Sequence, residues 1–315
     1  MAALPSSAIA RWAFAIKPAS FPKLMVPMLL GQAIGVAATG SISPAAVAFG
    51  VVFTVLDGIF IVFLNDWADR DIDALKRRLL PHAGSPKTIP DRILPATHLL
   101  IAGAAAGAGA VLASFATAQW LERPLLGWAG LVCLGVFAAY SLPPLRLNYR
   151  GGGELLEALG VGLLLPWVNA YAQSCRVAGP ELWLLPGYAL LSLGSAVASG
   201  LSDEVSDRAG GKRTLVALLG NAAGRRVTEA AMLAGAGAWL VSVWLVPALA
   251  TRVALVFAAL SVFHAWRRVR RASPLVTTYA FAEQAAYKAA LHRAIWGAGV
   301  ALGAVELLYG LARGT

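Results

Sequence analysis

The chain has 315 residues, of which 58% are hydrophobic and only 13% charged, and its formal net charge is +10. Ordinary soluble domains carry about a quarter charged residues, so this composition excludes a soluble globular protein and fits a chain surrounded by lipid. The positive charge argues for no nucleic-acid partner, because the basic residues recur beside apolar runs instead of forming one basic domain.

At the N-terminus, Arg11, Trp12, Phe14 and Lys17 read as an interfacial lead-in. No short apolar core followed by a small-residue cleavage site precedes them, so the segment is expected to be retained. Windows of bilayer-spanning length then predict nine helical spans, at 21–39, 45–65, 96–117, 125–142, 154–173, 181–201, 227–248, 251–266 and 291–311. The expected fold is all-α, a polytopic membrane protein, with residues 1–315 forming one domain. Of the 26 Lys and Arg residues, 22 fall at the N-terminus or in the loops after even-numbered spans, and only Arg123, Arg176, Arg252 and Arg313 fall on the other side. Cytoplasmic loops are enriched in these residues, which predicts a cytoplasmic N-terminus, an outer C-terminus and an inner-membrane location.

Two acidic clusters stand at the predicted cytoplasmic ends of even-numbered spans. The first reads Asn65-Asp66-Trp67-Ala68-Asp69-Arg70-Asp71-Ile72-Asp73, and the second holds Asp203 and Asp207. Asp69 and Asp73 share the four-residue spacing of Asp203 and Asp207, about one helical turn, so each pair points one way if its helix continues. Carboxylates this close repel at a low-dielectric boundary unless a cation intervenes. Mg²⁺ suits them, since it takes one or two carboxylates and completes its shell with water and phosphate oxygens. Two such clusters face to face would hold a diphosphate, and Lys212, Arg213, Arg70 and Arg146 offer the positive charge that a departing diphosphate needs. The opposing interpretation is that these acids and bases are solvated loop charges; it carries even weight for Asp71 and is preferred for Arg225, Arg226 and the run from Arg267 to Arg271.

Three more acids lie nearby. Asp57 sits eight residues before Asn65 within the second span, and an intramembrane acid is a functional candidate by default. Glu154 and Glu157 follow Gly151-Gly152-Gly153 and share a helical face toward an acceptor pocket, or simply favour a helix N-terminus. His82, His98, His264 and His292 form no metal motif, and Cys133 and Cys175 form no disulfide framework.

These motifs resemble those of the UbiA superfamily of intramembrane prenyltransferases. Asn65, Asp66, Asp69 and Asp73 match its NDxxDxxxD motif, Asp203 and Asp207 match its DxxxD motif, and Tyr140 to Arg146 match a Tyr followed by Pro-Pro-Leu-Arg. The stretch DRAGGKRTLVALLG, from Asp207 to Gly220, is similar to the family's usual continuation. The resemblance implies a helical bundle around a central cavity and a Mg²⁺-dependent transfer of a polyprenyl group from a polyprenyl diphosphate to an aromatic or quinone-precursor acceptor in the bilayer. It implies Asn65, Asp66, Asp69, Asp73, Asp203 and Asp207 as metal ligands, with Asp66, Asp69, Asp203 and Lys212 catalytic. It further implies Arg70, Tyr140 and Arg146 at the diphosphate, and Asn65, Lys87 and Glu154 are expected at the substrates beside them. Where many relatives carry Arg-Pro-x-Pro-Ser-Gly, this chain has a longer Leu79 to Pro86 stretch leading to Lys87-Thr88-Ile89-Pro90-Asp91-Arg92, so Lys87 stands in for the arginine. NDWADRDIDA looks like chlorophyll synthases and Arg150 to Glu154 like dihydroxynaphthoate prenyltransferases; the expected pathway is of the menaquinone or ubiquinone type, with chlorophyll-type transfer as the alternative. From other classes, a cation-coupled transporter predicts acids deep in several spans, and here only Asp57 is deep. A lipid phosphoalcohol transferase predicts one compact aspartate motif with Asp-Gly, which Asp57-Gly58 does not continue. A non-catalytic assembly protein needs neither aspartate pair.

Overall fold

The structure, a computed structural model, describes residues 5–81 and 86–314, which leaves His82 outside. The described residues form helices and no strands. Ser7 caps α1 (Ala8–Ile16) by accepting from the Ala10 amide, and Lys17, with φ of 52°, ends it. A short 3-10 turn follows, and α2 (Pro22–Thr39) leaves at 57° to the first segment. Ser43 caps α3 (Pro44–Ala68), with Pro44 in the first turn where its missing N–H costs nothing. Then come α4 (Arg70–Leu79), α5 (Ala96–Trp120), α6 (Leu126–Ser141), α7 (Leu147–Arg150) and α8 (Gly153–Leu159). A π-helical turn joins α8 to α9 (Leu165–Ser174), and α10 (Leu185–Gly200) runs through a 3-10 turn into α11 (Glu204–Ala209). The chain finishes with α12 (Leu215–Leu219), α13 (Asn221–Ser242), α14 (Leu249–Ala272) and α15 (Phe281–Gly314).

The helices close into a ring. α3 packs on α5, α5 on α6, α6 on α8, α8 on α10, α10 on α13, α13 on α14, α14 on α15, and α15 returns to α2. Two apolar cores fill it: one joins Leu30, Tyr188, Leu191, Met232, Trp239, Leu255 and Leu302, the other Phe49, Phe53, Leu126, Leu165, Val168 and Tyr171. α2 serves both, and it lies close to α9 because Gly31 and Gly35 face that helix. A Cβ on Gly31 would stand 2.1 Å from the Pro166 carbonyl oxygen, a close approach that only small residues allow. Buried amides fasten the same pair, with Gln32 donating to Asn169 at 2.8 Å and Gln173 donating to Gln32 at 2.7 Å.

Among the described residues, six helices are long and apolar enough to cross a membrane, and the bent pair at the N-terminus makes a seventh. The expected count of nine is not reached on this criterion. α6, at 16 residues, is short, and α13 carries Arg225, Arg226 and Glu229 in its first nine residues. Helices fall at all nine expected positions, but α14 and α15 extend well past 251–266 and 291–311. Their added turns carry Arg267, Arg268, Arg270, Arg271 and Lys288, residues that continue a helix while ending an apolar run.

Candidate active site

Both aspartate motifs sit where a helix breaks and restarts. Asn65 and Asp66 close α3, Asp69 occupies the break with φ −94° and ψ 6°, and Asp73 lies on α4. In the second motif Asp203 ends the turn after α10 with φ −109° and ψ −2°, and Asp207 lies on α11. The leading aspartate of each four-residue pair therefore adopts the same backbone conformation, one that is sparsely populated and common at active sites. The i to i−4 bond from Asp73 N to Asp69 O persists at 2.8 Å, which keeps the two carboxylates on one side despite the break.

The breaks turn both motifs into one polar cavity of about 150 Å³. Seven acids line it, Asp66, Asp69, Asp73, Glu154, Glu157, Asp203 and Asp207, against three lysines, Lys17, Lys87 and Lys212. A lysine answers most of the motif carboxylates. Lys17 Nζ lies 2.5 Å from Asp66, Lys87 Nζ 2.7 Å from Asp73 and Lys212 Nζ 2.8 Å from Asp69, while Lys76 bridges to Asp203 from outside the lining. Asp66 also accepts from Thr88 at 2.8 Å, Asp69 from the Tyr149 hydroxyl at 2.8 Å, and Asp207 from Thr214 at 3.2 Å.

Charge and burial oppose one another here. Burial raises the Asp73 carboxyl above the ordinary range even though Lys87 pulls it down. For Lys87 and Lys212, burial disfavours the ammonium, but Asp73 and Asp203 around the first, and Asp69 and Asp207 around the second, outweigh it and hold both above the usual lysine value. Burial, with Asp69 beside it, pushes the Tyr149 phenol up, so it stays a neutral donor.

The loop after α4 reaches the site through Asp91. Its carboxylate accepts from Arg77 at 2.6 and 3.0 Å and from the Lys87 amide at 2.5 Å, and this fold of the loop presents Lys87 and Thr88 to the acids. The Tyr140 to Arg146 segment acts from the other side. Arg146, with φ of 41°, lays its guanidinium 3.8 Å from the Tyr149 ring and donates to the Ala68 carbonyl at 3.2 Å, so it orients Tyr149 and does not line the cavity. Arg70 also points elsewhere, over the Trp67 ring and onto the Trp67 carbonyl at 2.8 Å. Glu154 lines the cavity and accepts from the Leu215 amide at 2.7 Å, and Asp71 is solvated, with 89% of its side chain exposed.

Four contributors were not singled out from the sequence as site residues. Lys17 read as an interfacial anchor and Lys76 as a topology lysine, while Tyr149 and Asn148 carried no signal beyond following Pro143-Pro144. Asn148 is 1% exposed, lines the cavity, and neither its amide nitrogen nor its oxygen has a partner. Glu154 Oε2 is likewise unpartnered. Buried polar groups are ordinarily satisfied, so these atoms are available to a polar ligand.

A second, apolar chamber of about 260 Å³ opens from the first. Lys17, Asn65, Tyr140 and Glu157 border both, and Leu24, Ile61, Val136, Phe137 and Leu165 line the deeper part. Asn65 is held at the junction by the Ser141 hydroxyl, 3.0 Å away, and Lys23 pairs with Glu157 at the rim. The site thus offers an acidic, lysine-rimmed head chamber continuous with a hydrocarbon-lined one.

A sequence model of the UbiA prenyltransferase family matches residues 24–305. The chain belongs to that family. It is 28% identical over 212 residues to a chloroplastic chlorophyll synthase of Oryza sativa subsp. japonica, covering 65% of this chain and 54% of that protein. The chain thus spans about half the length of the chlorophyll synthases it matches. It is 25% identical over 228 residues to a 1,4-dihydroxy-2-naphthoate octaprenyltransferase of Mycobacterium leprae, covering 72% of this chain and 76% of that protein. Its fold is that of a UbiA homolog from Archaeoglobus fulgidus bound to DMAPP and Mg²⁺, with a TM-score of 0.66 at 14% identity over 90% of this chain and 99% of that one.

The donor set fits Mg²⁺ in one particular way. Among the described residues no three acidic, His or Cys side chains converge on a point that would cage an ion. The seven acids around one cavity are instead hard oxygen donors in excess over the lysines. This suits a hydrated divalent ion that takes one or two carboxylates from a motif and its remaining ligands from phosphate and water.

Proposed function

We propose that residues 1–315 form one catalytic unit that transfers a polyprenyl group from a polyprenyl diphosphate to an aromatic or quinone-precursor acceptor within the membrane. The observation that carries this reading is the junction of the two chambers at Asn65 and Tyr140, where an acidic, lysine-rimmed head site meets an apolar one. A diphosphate with a hydrocarbon chain has the same two halves. The UbiA homolog bound to DMAPP and Mg²⁺, and the naphthoate octaprenyltransferase relative, support the donor, the metal and the acceptor class. They also favour transfer over cation transport.

In this reading Asp66, Asp69, Asp73, Asp203 and Asp207, with Asn65, hold Mg²⁺ against the diphosphate, and the ion supplies charge neutralisation for the leaving group. Lys212, Lys87 and Lys17 exchange their carboxylate partners for diphosphate oxygens and stabilise the charge that builds as the carbon–oxygen bond breaks. Tyr149 keeps Asp69 oriented through its hydroxyl, and Arg146 keeps Tyr149 in place. Asn148 offers its unpartnered amide to the diphosphate. The apolar chamber shields the allylic cation from water until the acceptor attacks, and Glu154 stands at the head chamber's wall for the acceptor side. The Lys and Arg distribution supports a head chamber open to the cytoplasm in an inner membrane.

Mass spectrometry of membrane lipids after expression with candidate acceptors tests this function. A new species heavier than the acceptor by one prenyl chain, present with the intact protein and absent with Asp203→Asn, is expected. Its mass separates a naphthoate-type from a chlorophyll-type acceptor, and no prenylated species in any lipid fraction overturns the reading.

A further inference from the structure

The wall of the apolar chamber carries an acid that prenyl diphosphate binding does not use. Asp57 lies on α3, is 5% exposed, and its Oδ1 has no hydrogen-bond partner. It lines the chamber beside Cys133, Phe137 and Ile61, whereas Lys17, Tyr140 and Glu157 also line the head site and Lys23 pairs with Glu157. One turn away on the same helix Thr54 is fully buried, and its hydroxyl also lacks a partner. The two side chains do not satisfy each other, although each carries the complement the other needs.

A buried carboxyl without a partner is costly, and a hydrocarbon occupant leaves it so. A prenyl tail lying against Asp57 itself would seal it away from any donor, so where the chamber also takes the donor's chain, the acceptor occupies the Asp57 side of it. An occupant with a hydroxyl aimed at the carboxyl removes the penalty, and among the reactants an aromatic acceptor carries such a group.

Resting on the prenyl-transfer reading, we infer that Asp57 is a positioning residue for the acceptor: it accepts a hydrogen bond from a phenolic hydroxyl of an aromatic acceptor lying on the Asp57 side of the apolar chamber. The contact fixes which edge of the ring faces the allylic carbon. It also selects hydroxylated acceptors over ones of the same shape without the donor, since an unpaired buried polar group discriminates more strongly than a missing apolar contact.

The test is equilibrium binding to the purified full chain, with Mg²⁺ and the unreactive analogue geranyl thiodiphosphate present, under anaerobic conditions. The probes are 1,4-dihydroxy-2-naphthoate and its 1,4-dimethoxy counterpart. The intact protein is expected to prefer the dihydroxy probe by about tenfold, and Asp57→Leu to bind both alike. Equal affinity of the intact protein for the two probes, no binding of the dihydroxy probe, or a preference that survives Asp57→Leu overturns the inference. If Asp57→Leu does not fold, the preference of the intact protein decides alone. Prenyl transfer by the intact protein together with unchanged discrimination in Asp57→Leu sinks this contact and leaves the reaction standing. Discrimination lost in Asp57→Leu, with no prenyl transfer by the intact protein, supports the contact and sinks the reaction.

Discussion

Replacing Lys212 by methionine separates the resting site from the loaded one. Lys212 Nζ lies 2.8 Å from Asp69, and the two side chains are only 10% and 9% exposed. At that distance the Coulomb attraction is about 6 kcal/mol for an effective dielectric near 20. Desolvation of both charges offsets much of it, so the pair as a whole contributes little to stability. Removing one partner is different, because Asp69 then stays buried with the Tyr149 hydroxyl but without its cation, at a cost of about 3–5 kcal/mol. Lys212→Met is therefore expected to lower the thermal midpoint of the metal-free protein in detergent by several degrees. The double variant Lys212→Met with Asp69→Asn, which removes both charges, should recover most of that loss. Prenyl transfer should fall by about 10²–10³ in both, because the charge that meets the leaving group is gone in each. The reasoning is refuted if the double variant melts below Lys212→Met, or if Lys212→Met transfers prenyl at the rate of the intact protein.

Three further outcomes follow from the geometry. Tyr149→Phe removes the 2.8 Å hydroxyl bond to Asp69 and should slow turnover by about tenfold at saturating donor, with the Lys212 contact intact; an unchanged kcat would show that Asp69 needs no such orientation. Gly31→Val drives a side chain into the Pro166 carbonyl and should separate α2 from α9, destabilising by about 3 kcal/mol or more, read as loss of monodisperse protein on size-exclusion chromatography. Asp91 is held below the ordinary carboxylate range: burial pushes it up, but the Arg77 bonds, the Lys87 amide and both positive charges more than reverse this. Because its folded value is lowered, its contribution to loop order is fully present above about pH 4 and is lost as pH falls through the lowered value. Hydrogen exchange of the Thr88 to Leu94 amides should accelerate only in that acid range, and Asp91→Asn should abolish the step.

The legible parts of this protein were those with a local signal. Apolar runs located the helices, because a lipid-facing segment must be apolar along its length, but they could not show that α14 and α15 continue as basic helices past the hydrocarbon. The four-residue spacing of both aspartate pairs was visible. The breaks at Asp69 and Asp203 were not: the first carries no Pro or Gly to announce it, and at the second Gly200 ends α10, but glycine is too frequent in membrane helices to mark a break. Lys17 and Lys76 escaped for another reason: their partners, Asp66 and Asp203, are set by tertiary packing across 49 and 127 residues, and a paired lysine is indistinguishable in sequence from one that follows membrane topology. Conversely, Arg70 and Arg146 had the right charge beside the right motifs, yet each folds onto a neighbouring aromatic ring.

The most direct test of the central claim is diphosphate release by the purified protein supplied with geranylgeranyl diphosphate and 1,4-dihydroxy-2-naphthoate. Release matched by prenylated naphthoate in the presence of Mg²⁺, and abolished by chelator and by Asp203→Asn, is the predicted result. Undiminished turnover in chelator, or in Asp203→Asn, would contradict a site in which two aspartate motifs hold the diphosphate through a divalent ion.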